Sequence, residues 1–403
     1  MRRAGDRHPP VARLMAASLL TVLTAALPLA AGGPALAADE VGLPAVGSVL
    51  PAGGACVKPS TERATDDPWT RQALGLTRVW QFSRGAGVTV AVVDTGVGTA
   101  APALSGRVTA VGEAGTDCVG HGTFAAGLIA AAPQDGTGVA GLAPQARILA
   151  VRGTDERGAT TPARLATAIR TAADQGAGVI YVGQALATGK DELEAAVAHA
   201  ARRDALVVAP VAPDTLPVGP GTGRTAPAAP AYWPAAAAGV VSVLDFGPDG
   251  GRPEGAPQVA GADLAAPGDS VVGVGPAGTG HFIGSGSSFA AAQAAGAAAL
   301  VRARYPGLSA AEAAHRLTSV AYPALPARLD AYASLSAVLA GAGSRGAVPS
   351  AGPAELVASA PAGPRDRALL VAGVVVGVVV LVAAGAVVLP RGRARGWRAA
   401  GGA

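Results

Sequence analysis

Residues 285–296 read SGSSFAAAQAAG, three serines in four positions followed by an alanine-rich run. Alanine has the highest helix propensity of any residue, so a helix beginning near Ser288 is expected. A hydroxyl there sits among free backbone N–H groups at the positive end of a helix dipole, which favours an oxyanion developing beside a nucleophile. Serine is also a good N-cap, and that reading stands beside the first. A nucleophilic serine needs a base within hydrogen-bond reach and an acid that orients the base. The chain has five histidines. His8 lies near the N-terminus, and His199 and His315 fall within amphipathic helical patterns, where a lone histidine is usually a surface or packing residue. His281 lies in a glycine-rich loop with no helix to fix it. His121, in DCVGHGTFAAGLIAA, stands between glycines and opens a second small-residue helix, so it is the preferred base. For the acid, Asp94 ends the apolar run of GVTVAVVDTGVG. That run reads as a buried strand, and catalytic groups of parallel sheets collect at the carboxyl ends of the strands. An aspartate capping the turn after the strand is the alternative for that residue.

These three residues must be held by elements far apart in the chain. From Val88 short β-branched runs alternate with longer alanine-rich ones, the pattern of βαβ units on a parallel sheet, so an α/β fold is expected. Strands are expected at Val88–Val93, Ile148–Val151, Val179–Val182, Leu206–Val208 and Val240–Val243. Helices are expected at Pro162–Gln175, with Thr161 as N-cap and proline in the first position, and at Asp191–Arg203. A third runs from the capping box Ser309-Ala-Ala-Glu312 to about Thr318. Residues 213–230 read as a flexible loop. The same alternation excludes a rival chemistry for Asp94-Thr-Gly, the sharing of one proton by two aspartates in an all-β enzyme. No second D-T-G or D-S-G exists in the chain.

The two ends belong to no core. Four arginines, Arg2, Arg3, Arg7 and Arg13, surround or precede an apolar run from Leu14 to Ala30, followed by Ala35-Leu36-Ala37. That is the pattern of a secretory signal peptide, residues 1–37, cleaved after Ala37. Residues 38–65, rich in proline and glycine, read as an extended arm. A main domain follows at 66–340 and a Gly/Pro/Ala/Ser-rich linker at 341–364. Residues 368–389 are uninterrupted apolar sequence, long enough to cross a bilayer core of about 30 Å. The tail, 390–403, carries Arg391, Arg393, Arg395 and Arg398 without an acid, which predicts a cytoplasmic C-terminus. The formal charge of +4 is therefore misleading. Of the 31 basic residues, four precede residue 38 and six lie from Arg365 onward, leaving 21 against 25 acids in between. That is no nucleic-acid surface. Cys56 and Cys118 both lie in the exported part, where an even count suggests one disulfide, with two free thiols as the alternative.

The chain order Asp94, His121, Ser288 is one of three known for the same acid–base–nucleophile geometry. AVVDTG, GHGTFAAG and GSSFAAAQAAG resemble the three active-site motifs of subtilisin-like serine proteases, the subtilases. PWTRQALGLTRVWQFSRGAGVTVAVVDTGV, DCVGHGT and ALVRARYPGLSAAEA resemble the mycosins, membrane-anchored subtilases associated with type VII secretion in actinobacteria. The resemblance spans roughly Cys56 to Leu335 and both ends. It implies a three-layer fold with a mainly parallel sheet between helices, a disulfide joining the arm near the histidine, and Asp94, His121 and Ser288 as the catalytic residues. The implied partners are a polypeptide substrate and membrane components of the secretion system. The chemistry requires no cofactor or metal, and no acidic cluster marks a calcium site.

Several positions depart from the family. The oxyanion asparagine ends a strand motif resembling VVVAAAGN. The matching segment here is LVVAPVAPD, with Pro213 at the asparagine position, and the chain contains no asparagine. Gln184, Thr215 or a water near Asp214 are the substitute donors to consider. Ser287 replaces a threonine, and Ala292 replaces a proline. Val179-Ile-Tyr-Val-Gly-Gln-Ala185 replaces an N-x-S-x-G-like substrate strand, with Gly183 where a serine is expected. Two functions follow: a slow extracytoplasmic endopeptidase, or an impaired family member that serves a secretion complex structurally. An exported α/β binding module is the third, blander reading.

Overall fold

A computed structural model describes residues 42–216, 231–259, 261–339 and 364–396. The signal-peptide region, residues 217–230 of the expected loop and residues 341–363 of the linker lie outside the described residues. Contacts divide the chain into one unit ending at Leu339 and a second from Ala340 onward.

The first unit is built on seven parallel strands: β1 Thr89–Asp94, β2 Val108–Ala110, β3 Arg147–Arg152, β4 Val179–Val182, β5 Leu206–Pro210, β6 Val241–Phe246 and β7 Leu264–Pro267. Their order is β2-β3-β1-β4-β5-β6-β7. β1 lies inside the sheet between β3 and β4, with Val90 to Val93 fully buried, as expected where helices cover both faces of a parallel sheet. One face is covered by α3, His121–Ala130, and α6, Ser287–Arg304. The other is covered by α4, Pro162–Asp174, and α5, Lys190–Arg202, whose Leu165, Ile169, Leu193 and Val197 pack on the sheet. This is the three-layer arrangement the motifs imply.

α6 is apolar on all sides, and every residue from Ser287 to Val301 is buried. A helix without a polar face belongs inside the protein, and its alanines let it lie close against β5 and β6. From β1 the chain turns first to β2 and β3 on one side, then crosses to β4 on the other. The crevice at this reversal, outside the carboxyl ends of β1 and β4, is where parallel α/β sheets bind ligands. Asp94 ends β1.

Four short strands lie outside the expected ones: β2, β7 and the antiparallel hairpin of β8, Val271–Val274, with β9, His281–Gly284. β7, LAAP, has no β-branched residue, and its pairing with β6 supplies what propensity does not. His281 therefore lies in a strand, not in the expected loop. Its backbone N–H donates to the Glu62 carbonyl, and its Nδ1 accepts from Ala64 N–H at 2.9 Å.

These bonds belong to the arm, which is laid along the unit. Val46 N–H donates to the Ile283 carbonyl, and Val57 N–H to the Cys118 carbonyl. Cys56 and Cys118 are joined by a disulfide across 62 residues of sequence. The remaining helices of this unit are α1, Trp69–Ala73, α2, Leu76–Val79, α7, Ala310–Ser319, and α8, Ala331–Ser336. α7 carries the expected capping box of Ser309 and Glu312. The described part of the second unit is α9, Pro364–Ala394, whose segment Val371–Ala394 contains an 18-residue window of mean hydropathy 2.9.

Candidate active site

Three elements converge at the crevice. β1 delivers Asp94, α3 begins with His121, and Ser288 is the second residue of α6. His121 Nδ1 lies 3.0 and 2.9 Å from the two Asp94 carboxylate oxygens, and Nε2 lies 3.1 Å from Ser288 Oγ. All three side chains are buried. Ser288 does not cap its helix: the N-cap is Gly286, which forms no side-chain cap, and the Ser288 N–H points out of the helix end to another partner.

α3 can lie against the end of β1 because position 122 has no side chain. A Cβ on Gly122 would overlap the Gly96 carbonyl oxygen. The junction is then fastened by polar bonds. Thr95 N–H donates to Asp94 Oδ1 at 2.7 Å, and Gly122 N–H donates to Thr95 Oγ1 at 2.9 Å. Buried Asp117 accepts from Gly120 N–H, Thr123 N–H and both threonine hydroxyls, Thr95 and Thr123. Its carboxylate satisfies the free donors of the first turn of α3. Burial still raises the Asp117 pKa, against those hydrogen bonds.

Two residues join the site without a motif to announce them. Tyr181, on β4, is fully buried, and its hydroxyl donates to Asp94 Oδ2 at 3.3 Å. Burial and the charges of Asp94 and Asp214 push this phenol well above its ordinary pKa, so it stays a donor. Gly183 leaves room for it: a Cβ there would overlap Asp94 Oδ2 and come within 2.9 Å of the Tyr181 oxygen. The serine expected at 183 is absent because the phenol and carboxylate fill its space.

The second is Asp214. It accepts from Ser288 N–H at 2.9 Å through Oδ1 and from Ser288 Oγ at 2.6 Å through Oδ2, which also lies 3.1 Å from His121 Nε2. The side chain that reaches the nucleophile is thus Asp214, not Pro213, which the sequence puts at the asparagine position. The physical reason is register. The eight-residue pattern fits VVAPVAPD, residues 207–214, as well as it fits LVVAPVAP, and the chain leaving β5 brings residue 214 over the helix end. Gly286 permits the approach, since a Cβ there would overlap the Asp214 carboxylate. Of the other donors considered, Gln184 Nε2 is buried with no hydrogen-bond partner. Ser287 Oγ donates to Asp245 Oδ1 at 2.6 Å and faces away from the reacting group.

Burial alone would lower the pKa of His121. The charge of Asp94 and the hydrogen bonds of Asp214 and Asp94 outweigh it, and the ring is held well above its usual value of 6.5. Phe289 stacks against the ring, with centroids 4.9 Å apart, and excludes water from one side. Among the described residues no group of three or more His, Cys, Asp or Glu side chains could hold a metal ion.

A parallel sheet that draws an aspartate, a histidine and a serine to one edge from β1, α3 and α6 is the arrangement of the subtilisin-like class. The subtilase family (Peptidase_S8) matches residues 85–344. The chain belongs to that family. It is 34% identical over 330 residues to Mycosin-3 of Mycobacterium tuberculosis strain H37Rv, covering 67% of this chain and 70% of that one. The solved structure of the MycP3 protease from the type VII (ESX-3) secretion system superimposes with a TM-score of 0.60 at 31% identity, over 71% of this chain and 93% of the other. A chain of an intact ESX-5 inner membrane complex matches with a TM-score of 0.60 at 26% identity, over 87% of this chain and 100% of the other.

Proposed function

We propose that this chain is a membrane-anchored, extracytoplasmic serine endopeptidase of mycosin type. The observation that carries the reading is the His121 ring bridging Asp94 and Ser288 at 2.9 to 3.1 Å. In that role neutral His121 takes the Ser288 proton as Oγ attacks a peptide carbonyl. Asp94 holds the imidazole with Nδ1–H toward itself and stabilises the imidazolium that forms. Tyr181 keeps Asp94 in place through its hydrogen bond to Oδ2. The imidazolium then protonates the leaving amine, and water repeats the sequence on the acyl-enzyme. The likeness to Mycosin-3, and to chains from type VII secretion assemblies, supports membrane components of such a system as partners.

A second reading keeps the fold and gives up the chemistry: a structural member of a secretion complex. Asp214 favours it, because its side-chain oxygen on the Ser288 N–H stands where an oxyanion would be stabilised. Loss of one oxyanion donor costs about 10²–10³ in turnover, or roughly 3–4 kcal/mol. Labelling of the full-length chain in detergent with a fluorophosphonate separates the two. The endopeptidase reading predicts labelling that is lost in Ser288→Ala and His121→Ala. Persistence of the label in Ser288→Ala, or no label on any folded variant, contradicts it.

A further inference from the structure

We propose that Asp214 is itself a catalytic residue. As a carboxylic acid it donates the second hydrogen bond to the oxyanion; as a carboxylate it fills the oxyanion site and excludes the substrate carbonyl. This rests on the endopeptidase reading above. The Asp214 carboxylate already makes the contacts an oxyanion would make, Ser288 N–H at 2.9 Å and the Ser288 hydroxyl at 2.6 Å. With the proton of Ser288 Oγ drawn to Asp214, closer than His121 Nε2 at 3.1 Å, the resting hydroxyl is turned away from its base.

Asp214 Oδ2 and His121 Nε2 are 3.1 Å apart and compete for one proton. With the proton on His121, the base is spent and the carboxylate blocks the site. With the proton on Asp214, His121 is a free base and Asp214 is a donor. The second arrangement is the working one. The Ser288 proton passes to Nε2, the carbonyl oxygen takes up the negative charge, and the Asp214 proton stays on Asp214 as a hydrogen bond to it. Both arrangements hold one proton, so activity belongs to the singly protonated pair. The other charged or titratable groups facing Asp214 are Asp94 behind the imidazole, Tyr181 from β4, and Asp245, Arg252 and Glu254 around the adjoining pocket. Among the described residues Arg252 is paired with Asp245 at 2.9 Å, and the cation bonded to Asp214 is His121.

The signs then run oppositely in two variants. In the wild type, removing the shared proton at alkaline pH leaves an anion facing the oxyanion, and the labelling rate falls. In Asp214→Asn the side chain is a donor at every pH, and the rate rises through the titration of His121 to a plateau.

The test is the rate of fluorophosphonate labelling of Ser288 against pH, for the full-length wild type, Asp214→Asn and Asp214→Ala in detergent. Circular dichroism on each variant establishes folding. The expected result is a wild-type profile that declines on the alkaline side. Asp214→Asn should label on the order of 10²-fold faster than the wild type on its plateau, and faster than Asp214→Ala throughout. A wild-type rate that rises monotonically with pH overturns the proposal by itself, even if both variants misfold, and leaves the endopeptidase reading intact. No labelling of any folded form at any pH overturns both.

Discussion

Asp94 receives three donors, from Thr95, His121 and Tyr181, and is itself fully buried. Such a carboxylate can polarise the imidazole only if it stays where it is, and Tyr181 bonds Oδ2, one of the two oxygens that hold His121. Tyr181→Phe deletes a hydroxyl without opening a cavity. We expect kcat to fall about tenfold, with KM nearly unchanged, a cost of about 1.4 kcal/mol that suits a hydrogen bond to a charged group. A KM change with kcat intact would move Tyr181 from Asp94 positioning to substrate binding. Gly183→Ser restores the residue the family pattern leads one to expect, yet its Cβ would overlap Asp94 Oδ2. Peptidase activity of that variant should fall at least about 10²-fold, since a displacement near 1 Å is enough for such a loss. Asp94, His121 and Ser288 are legible in the sequence because each stands in its own motif at the end of a periodic segment. Tyr181 and Asp214 are not: a tyrosine in VIYV reads as strand core, and Asp214 is hidden by a one-residue ambiguity in LVVAPVAPD.

At the scale of elements, the position of His121 depends on how the start of α3 is fastened. Asp117 does this from the inside, and the Cys56–Cys118 bond, three residues before His121, does it from the arm. Closing a loop of 62 residues is worth about 4 kcal/mol in the chain-entropy account. Cys56→Ser with Cys118→Ser should therefore lower the unfolding free energy by about 2–4 kcal/mol, read from urea midpoints at unchanged slope. An unchanged midpoint would mean that the arm holds equally well through its backbone bonds alone. The long helices were readable from their own signals: Thr161 and a first-turn proline for α4, Ser309 and Glu312 for α7. The hairpin β8–β9 and strand β7 were not. β7, LAAP, has little strand propensity and is defined by its partner β6, and VVGV and HFIG are four-residue runs each containing a glycine.

For the whole molecule, the parallel sheet is the consequence of buried β-branched runs separated by alanine-rich helices, and sequence alone carries that far. It does not carry how the strands are ordered, which the crossover from β3 to β4 decides and which creates the crevice. The segment Val371–Ala394 measures about 36 Å as a helix, longer than a bilayer core of about 30 Å. With four arginines beyond Leu389, the positive-inside bias predicts a cytoplasmic tail and an exposed main unit. In intact cells an external protease should digest the unit and spare a tail epitope, and deletion of residues 364–403 should release the unit from membranes. Digestion of the tail with the unit protected would reverse the orientation.

If Asp94, His121 and Ser288 hydrolyse peptide bonds, the full-length chain should cleave an unfolded polypeptide. New N-termini, counted by mass spectrometry, should appear with the wild type and faster with Asp214→Asn, and should vanish with Ser288→Ala in either background. Cleavage that survives Ser288→Ala, or none from folded Asp214→Asn, would contradict the account.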